Sequence, residues 1–232
     1  MRASAARNAL LLLLSCAAGC IDALSYLQLG QVFVANMTGH AVLLGVSLVA
    51  VETYKIVNAL MAICGFFLGA VAGSWMVDPS SRPTLWPRTV TITLWLESAL
   101  LGGIAVLWAL TDSRTPLAVV LYVFGSSLAM GLQSAAVRGL RAAGIATTYI
   151  TGTLTTLAAD MVALMRHVAR SERVPADHPA GLLAGVWLIY ILGATIGALL
   201  ADGQPSLGFI VPAALTLIVT VSAAWRFRRA AV

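Results

Sequence analysis

Four ionisable side chains stand inside stretches that are otherwise apolar: Asp22, His40, Glu97 and Asp160. Charge is costly in hydrocarbon, so groups of this kind mark binding sites or proton relays. Asp22, His40, Glu97 and Asp160 together make a candidate proton-coupling set, because imidazole exchanges protons near neutral pH and carboxyls can hand them on. Polar neighbours accompany them. Asn36, Thr38 and Gly39 stand just before His40, and a second group, Gln133, Thr151, Gly152 and Thr153, follows farther along the chain. The expected solute-binding set is Asp22, Asn36, Thr38, Gly39, His40 and Glu97 with Gln133, Thr151, Gly152 and Thr153. Two Thr-Gly pairs, Thr38-Gly39 and Thr151-Gly152, suit either a plain close helix contact or a local helix break. A half-helix starting there would aim its positive end at an anion or carboxylate.

No enzyme chemistry of a known kind accompanies these groups. The sequence has no HExxH, no clustered Cys/His ligands and no phosphate loop. Gly125-Ser126-Ser127-Leu128 and Gly45-Val46-Ser47-Leu48 superficially suit an intramembrane serine nucleophile, but His40 is the one histidine inside an apolar segment. Cys16, Cys20 and Cys64 all sit in apolar segments without a CxxC pair and read as packing residues. No catalytic residue, metal or cofactor is expected.

The elements that must position these groups follow from composition. The chain of 232 residues is 60% apolar and 10% charged, against ~45–50% and ~25% in soluble domains. Lipid is therefore the expected solvent. Eight apolar stretches, 8–27, 32–51, 57–77, 89–110, 116–137, 145–165, 181–201 and 207–225, are each near the ~20 residues that cross a bilayer as a helix. The expected fold is all-α, a polytopic transmembrane helix bundle of six to eight membrane segments forming a single domain. The gaps leave no room for a soluble catalytic or nucleic-acid-binding domain. Segments 2 and 6 are the most polar, and either suits a re-entrant or broken helix. The start, Arg2 and Arg7 before Ala9–Leu14, has a signal-peptide look. Its apolar run continues to Leu27, and a retained first helix is expected.

With eight crossings, the side of the N-terminus receives Arg2, Arg7, Lys55, Arg114, Arg166, Arg170, Arg173, Arg226, Arg228 and Arg229, and the other side Arg82, Arg88, Arg138 and Arg141. Ten against four places both termini in the cytoplasm. At ~1.5 Å per residue, Asp22, His40 and Glu97 would then share a layer roughly 8–12 Å below the outer surface. Asp160 would lie deeper.

The chain also echoes itself. Gly19 aligns with Gly131, Met37-Thr38-Gly39 with Ile150-Thr151-Gly152, and Leu68–Gly73 with Leu192–Gly197. Two halves, 8–110 and 116–225, are expected. They would be parallel repeats if the unit crosses four times and inverted repeats if it crosses three times. Glycines spaced by four, at Gly65, Gly69 and Gly73 and at Gly193 and Gly197, make faces for close helix packing, within the chain or in a homo-oligomer.

The segments Ala18-Gly19-Cys20-Ile21-Asp22-Ala23, Phe33-Val34-Ala35-Asn36-Met37-Thr38-Gly39-His40, Met130-Gly131-Leu132-Gln133-Ser134-Ala135 and Thr147-Thr148-Tyr149-Ile150-Thr151-Gly152-Thr153 resemble the YoaK family of bacterial integral membrane proteins, a domain of unknown function. The resemblance covers nearly the whole chain. It implies a bacterial inner-membrane protein of about six or more helices and supplies no substrate. His40 and Ser134 stand where family members often carry Asn, which puts any role of a family asparagine in doubt. The functional expectation is a small-solute transporter or permease with a central polar site between the halves. A membrane-embedded enzyme and a non-transporting assembly subunit are the alternatives. The expected partners are the lipid bilayer and a small-molecule substrate, not nucleic acid.

Overall fold

The computed structural model describes residues 2–77, 84–111, 115–140, 147–148, 150–170 and 179–227. Among these the regular structure is all helical: α1 (Arg2–Gln28), α2 (Met37–Ala50), α3 (Thr53–Met76), α4 (Arg88–Leu110), α5 (Pro116–Gly139), α6 (Ile150–Ala169), α7 (Ala180–Gly203), the single turn α8 (Pro205–Gly208) and α9 (Ile210–Arg226). Helices α1, α3, α4, α5 and α7 are long and apolar enough to cross a membrane, and α9 is a shorter apolar helix of 17 residues. The helix ends follow local chemistry. Thr115 caps α5 by accepting from the Ala118 N–H at 3.3 Å, with Pro116 at the first helical position. After α1 the chain reverses through Gly30 and Gln31, both at positive φ.

Two buried apolar clusters show which way each helix runs. The proximal cluster, nearest the N-terminus, holds Leu10 and Leu14 of α1, Val77 beyond α3, Val90 and Leu94 of α4, Ala136 and Val137 of α5, Leu183 and Val186 of α7, and Val219 and Ala223 of α9. The distal cluster holds Ile21 and Leu24, Ala62, Leu101 and Trp108, Val119 and Val123, Ala201, and Phe209 and Ala213. Each of six helices therefore starts in one cluster and ends in the other, with directions alternating in the order α1, α3, α4, α5, α7, α9.

Helices α2 and α6 do not take part in this alternation. Segment 2 begins and ends at the distal end, between α1 and α3. Segment 6 begins and ends at the proximal end, between α5 and α7. At ~1.5 Å per residue the 14 residues of α2 span about 21 Å. Eight alternating helices are thus not what the described residues form: six helices run between the two clusters, and α2 and α6 each start and finish at one end. The direction of α3 and α4 reverses, so Glu97 leaves the layer of Asp22. It lies 13 residues from the distal end of α4, whereas Asp22 lies six from the distal end of α1.

The glycine faces pack inside the chain. A Cβ at Gly193 or Gly197 would strike the Cys16 or Cys20 carbonyl, and one at Gly65 or Gly69 the Phe124 or Leu128 carbonyl. Residue numbers rise together in both pairs, so α7 lies parallel to α1 and α3 parallel to α5. Ser15 Oγ donates to the Val186 carbonyl at 2.8 Å and Gln28 Nε2 to the Ala201 carbonyl at 3.0 Å, holding the same register along α1 and α7. The offsets match between the two pairs. Gly19 faces Tyr190 and Ala194, while Gly131, 112 residues on, faces Phe66 and Ala70, each 124 residues before its counterpart.

Candidate functional site

The first re-entrant segment is built on Asp22. Its Oδ1 accepts from the backbone N–H groups of Val34 and Ala35 at 2.7 and 2.8 Å, and its Oδ2 from the Tyr190 hydroxyl at 2.6 Å. The side chain is 3% exposed. One carboxyl group therefore joins α1, the limb 29–36 and α7. Because Asp22 lies six residues from the end of α1, the limb dips about 9 Å back into the bundle before α2 begins. His40, fully buried, closes the turn: its Nε2 donates to the Phe33 carbonyl, and Nδ1 has no partner among the described residues. Phe33 stacks on Tyr26 with ring centroids 5.0 Å apart. Asn36 caps α2, its Oδ1 accepting from the Gly39 N–H at 3.4 Å. Gly39 itself is not needed for a close approach, since a Cβ there would meet ordinary contacts.

The second segment is held by different chemistry. Gln133 Nε2 donates to Thr147 Oγ1 at 2.9 Å and to the Leu14 carbonyl at 3.3 Å, and Ser134 Oγ pairs with Thr148 Oγ1. Gln133 and Ser134 lie five or six residues inside the end of α5, so residues 147 and 148 also sit below the bundle surface. Thr153 is buried on α6, while Thr155 and Thr156 return their hydroxyls to the carbonyls of Thr151 and Gly152 at 3.1 and 2.9 Å.

Both segments begin at one cavity of about 920 Å³. Asn36, Met37 and Thr38 enter its wall from the start of α2, and Ile150, Thr151 and Gly152 from the start of α6. Phe66, Ala70 and Ser74 of α3, Ser134 and Arg138 of α5 and Tyr190 of α7 complete the described flanks. The cavity thus sits where the helix pairs α1–α7 and α3–α5 face each other. Among the described residues its polar wall is mainly hydroxyl groups, with one side-chain amide and one guanidinium.

The sequence-expected residues divide accordingly. Asn36, Thr38, Thr151 and Gly152 line the cavity. Asp22 and Gln133 stand directly behind it, through Tyr190 and Thr147. Gly39, His40 and Thr153 are in the re-entrant helices but outside the lining. Glu97 is buried in α4 with neither carboxyl oxygen partnered among the described residues, and Asp160 has one buried oxygen in the same condition. Neither lines the cavity.

Arg138, Ser74 and Tyr190 were missed. Arg138 was assigned only to the side opposite the N-terminus, yet it lies one turn beyond Ser134 on the same face of α5, and that i, i+4 spacing was the available signal. Among the described residues no group of three His, Cys, Asp or Glu could hold a metal ion. The unpartnered His40 Nδ1 leaves no Ser–His pair there.

Residues 10–222 match the family described as a protein of unknown function, DUF1275. The chain is 37% identical over 199 residues to the UPF0700 transmembrane protein YoaK of Bacillus subtilis (strain 168), covering 86% of each chain. No solved structure matches.

Proposed function

The chain belongs to the DUF1275 family of multi-pass membrane proteins, and from that premise we propose that it is a small-solute carrier with its binding site in the cavity where α2 and α6 begin. The observation that carries this reading is the meeting of two re-entrant helix starts at one polar cavity inside a six-helix bundle. Irregular backbone at membrane depth is tolerated where it is buried in protein or lines a water-filled cavity. Interrupted segments facing a shared midplane site are the plan of many secondary carriers.

The halves 8–110 and 116–225 read as inverted repeats of three crossings and one re-entrant helix. The matching offsets of the α1–α7 and α3–α5 contacts support that assignment. In this reading the halves exchange roles as the cavity opens to one side and then the other. The Asp22–Tyr190 connection closes the distal side, and the cavity reaches the proximal side at the exposed Arg138. Glu97 and Asp160, each with unpartnered buried oxygen, are the candidates for proton coupling, with Asp22 and His40 joining them if the distal closure opens.

Orientation follows from charge. By chain order, six crossings assign Lys55 and Arg114 to the distal side and the other twelve basic residues to the proximal side. Twelve against two is a stronger bias than ten against four. By the positive-inside rule this bias supports an orientation with the proximal end and both termini on the cytoplasmic side of a bacterial inner membrane.

The test is uptake by proteoliposomes offered a mixture of small metabolites, followed by mass spectrometry, with and without an imposed pH gradient. Accumulation of a specific solute above protein-free vesicles is expected. Failure of every solute to accumulate under either condition would end the carrier reading.

A further inference from the structure

Resting on the carrier reading, we infer that the cavity selects a small oxyanion, a carboxylate or an inorganic one, through Arg138 and the hydroxyls beside it. The charges of the wall decide the sign. Arg138 is the one charged side chain in the described lining, is exposed, and makes no hydrogen bond or ion pair among the described residues. Among the described residues no Asp or Glu lines the cavity. The carboxyl group behind the wall, Asp22, is already occupied by two backbone N–H groups and the Tyr190 hydroxyl. It offers nothing to a cation.

The surroundings of Arg138 fit an oxyanion in geometry as well as in sign. Ser134 lies one turn back on α5, so hydroxyl and guanidinium share a face. Of the paired Ser134 and Thr148 hydroxyls one donates to the other and leaves one O–H for a ligand, and Thr151 brings another hydroxyl from the second segment. The N-terminal ends of α2 and α6 reach the same wall and add partial positive charge. A cation would meet all of these without compensation. A neutral polyol would leave the guanidinium, a planar fork suited to oxyanions, unpaired. With roughly 30 Å³ per water molecule, a cavity of about 920 Å³ also admits a small anion with part of its hydration shell.

The experiment uses the full chain in proteoliposomes and radiolabelled phosphate, sulfate, lactate and succinate. Glycerol and xylose serve as neutral solutes, and choline and putrescine as cations. At least one oxyanion is expected to enter faster than into protein-free vesicles, with Arg138→Gln slowing that uptake by about tenfold or more. Arg138→Lys should fall between, keeping the charge and losing the fork. Uptake confined to neutral or cationic solutes, or oxyanion uptake indifferent to Arg138→Gln, overturns the anion assignment and leaves the carrier reading standing. If no solute moves, the carrier reading falls, and calorimetric titration of the four anions into the nanodisc-embedded protein decides the assignment alone. Binding weakened by Arg138→Gln sustains it, and absence of binding overturns it.

Discussion

At the scale of single residues, the structure separates groups that look alike in sequence. Asp22 and Glu97 are both carboxyls in apolar helices. Asp22 has every oxygen engaged, whereas Glu97 has none engaged among the described residues. Asp22→Asn should therefore weaken the fold, because its amide cannot accept from both the limb and the Tyr190 hydroxyl. A loss of about 1–3 kcal/mol is expected for a hydrogen bond to a carboxyl. Tyr190→Phe should cost less, and the double variant little more than Asp22→Asn alone. Thermal unfolding of the four proteins in detergent checks this, and strict additivity would contradict a shared connection. Glycines divide in the same way. Gly193→Ala and Gly69→Ala place a methyl group against a carbonyl and should lower the midpoint of thermal unfolding by several degrees. Gly102→Ala and Gly181→Ala, which meet nothing within 4 Å, should leave it unchanged or raise it slightly, by up to ~1 kcal/mol of helix propensity. No composition count separates these four glycines, because what differs is the helix opposite.

At the scale of elements, apolar runs located the helices well, and the two that do not run between the clusters are segments 2 and 6, whose polarity already suited a re-entrant or broken helix. The run 32–51 is long enough for a crossing, but its first residues, Val32 to Ala35, form the descending limb, and only Met37–Ala50 is helix. Hydropathy cannot distinguish a limb plus a half-helix from one span, because both bury the same side chains. The local signal was Asn36, whose side chain can cap a helix, with Thr38-Gly39 behind it. The polar layer was legible in the same partial way. Asn36, Thr38, Thr151 and Gly152 do reach the cavity. Glu97 does not, because its assigned depth depended on the number of crossings before it. Cysteine substitution tests the element directly. Thr151→Cys, in a background lacking the three native cysteines, should react with a water-soluble thiol reagent. Leu121→Cys, on an outward-facing position of α5, should not. Equal protection of both would mean that the start of α6 is sealed from water.

At the scale of the whole molecule, the number of crossings changes which loops face which side. In the six-crossing arrangement Glu52, between α2 and α3, is external, and in the eight-crossing scheme it is internal. A cysteine at Glu52 should be labelled in intact cells by a membrane-impermeant reagent, with reporter fusions at both termini active only in the cytoplasm. Labelling only after permeabilisation would restore eight crossings. The asymmetry of the basic residues sharpens from ten against four to twelve against two when segments 2 and 6 are taken as re-entrant, which supports the six-crossing proposal. That preference could be read from sequence by comparing the two tallies rather than by accepting the one that hydropathy suggests.

The pairing of α1 with α7 sets a timetable for assembly. At roughly 5–20 residues per second of synthesis, the ~150 residues between them take about eight to thirty seconds to emerge. Throughout that interval the Gly19 face has no mate and Asp22 has no phenol to answer it, while α3 and α5 can already join. The nascent N-terminal helix must therefore be sheltered, by the insertion machinery or by a provisional neighbour, until the penultimate long helix arrives. A chain cut short before residue 180 would be left with a carboxyl-bearing orphan helix, the kind of product that membrane quality control removes.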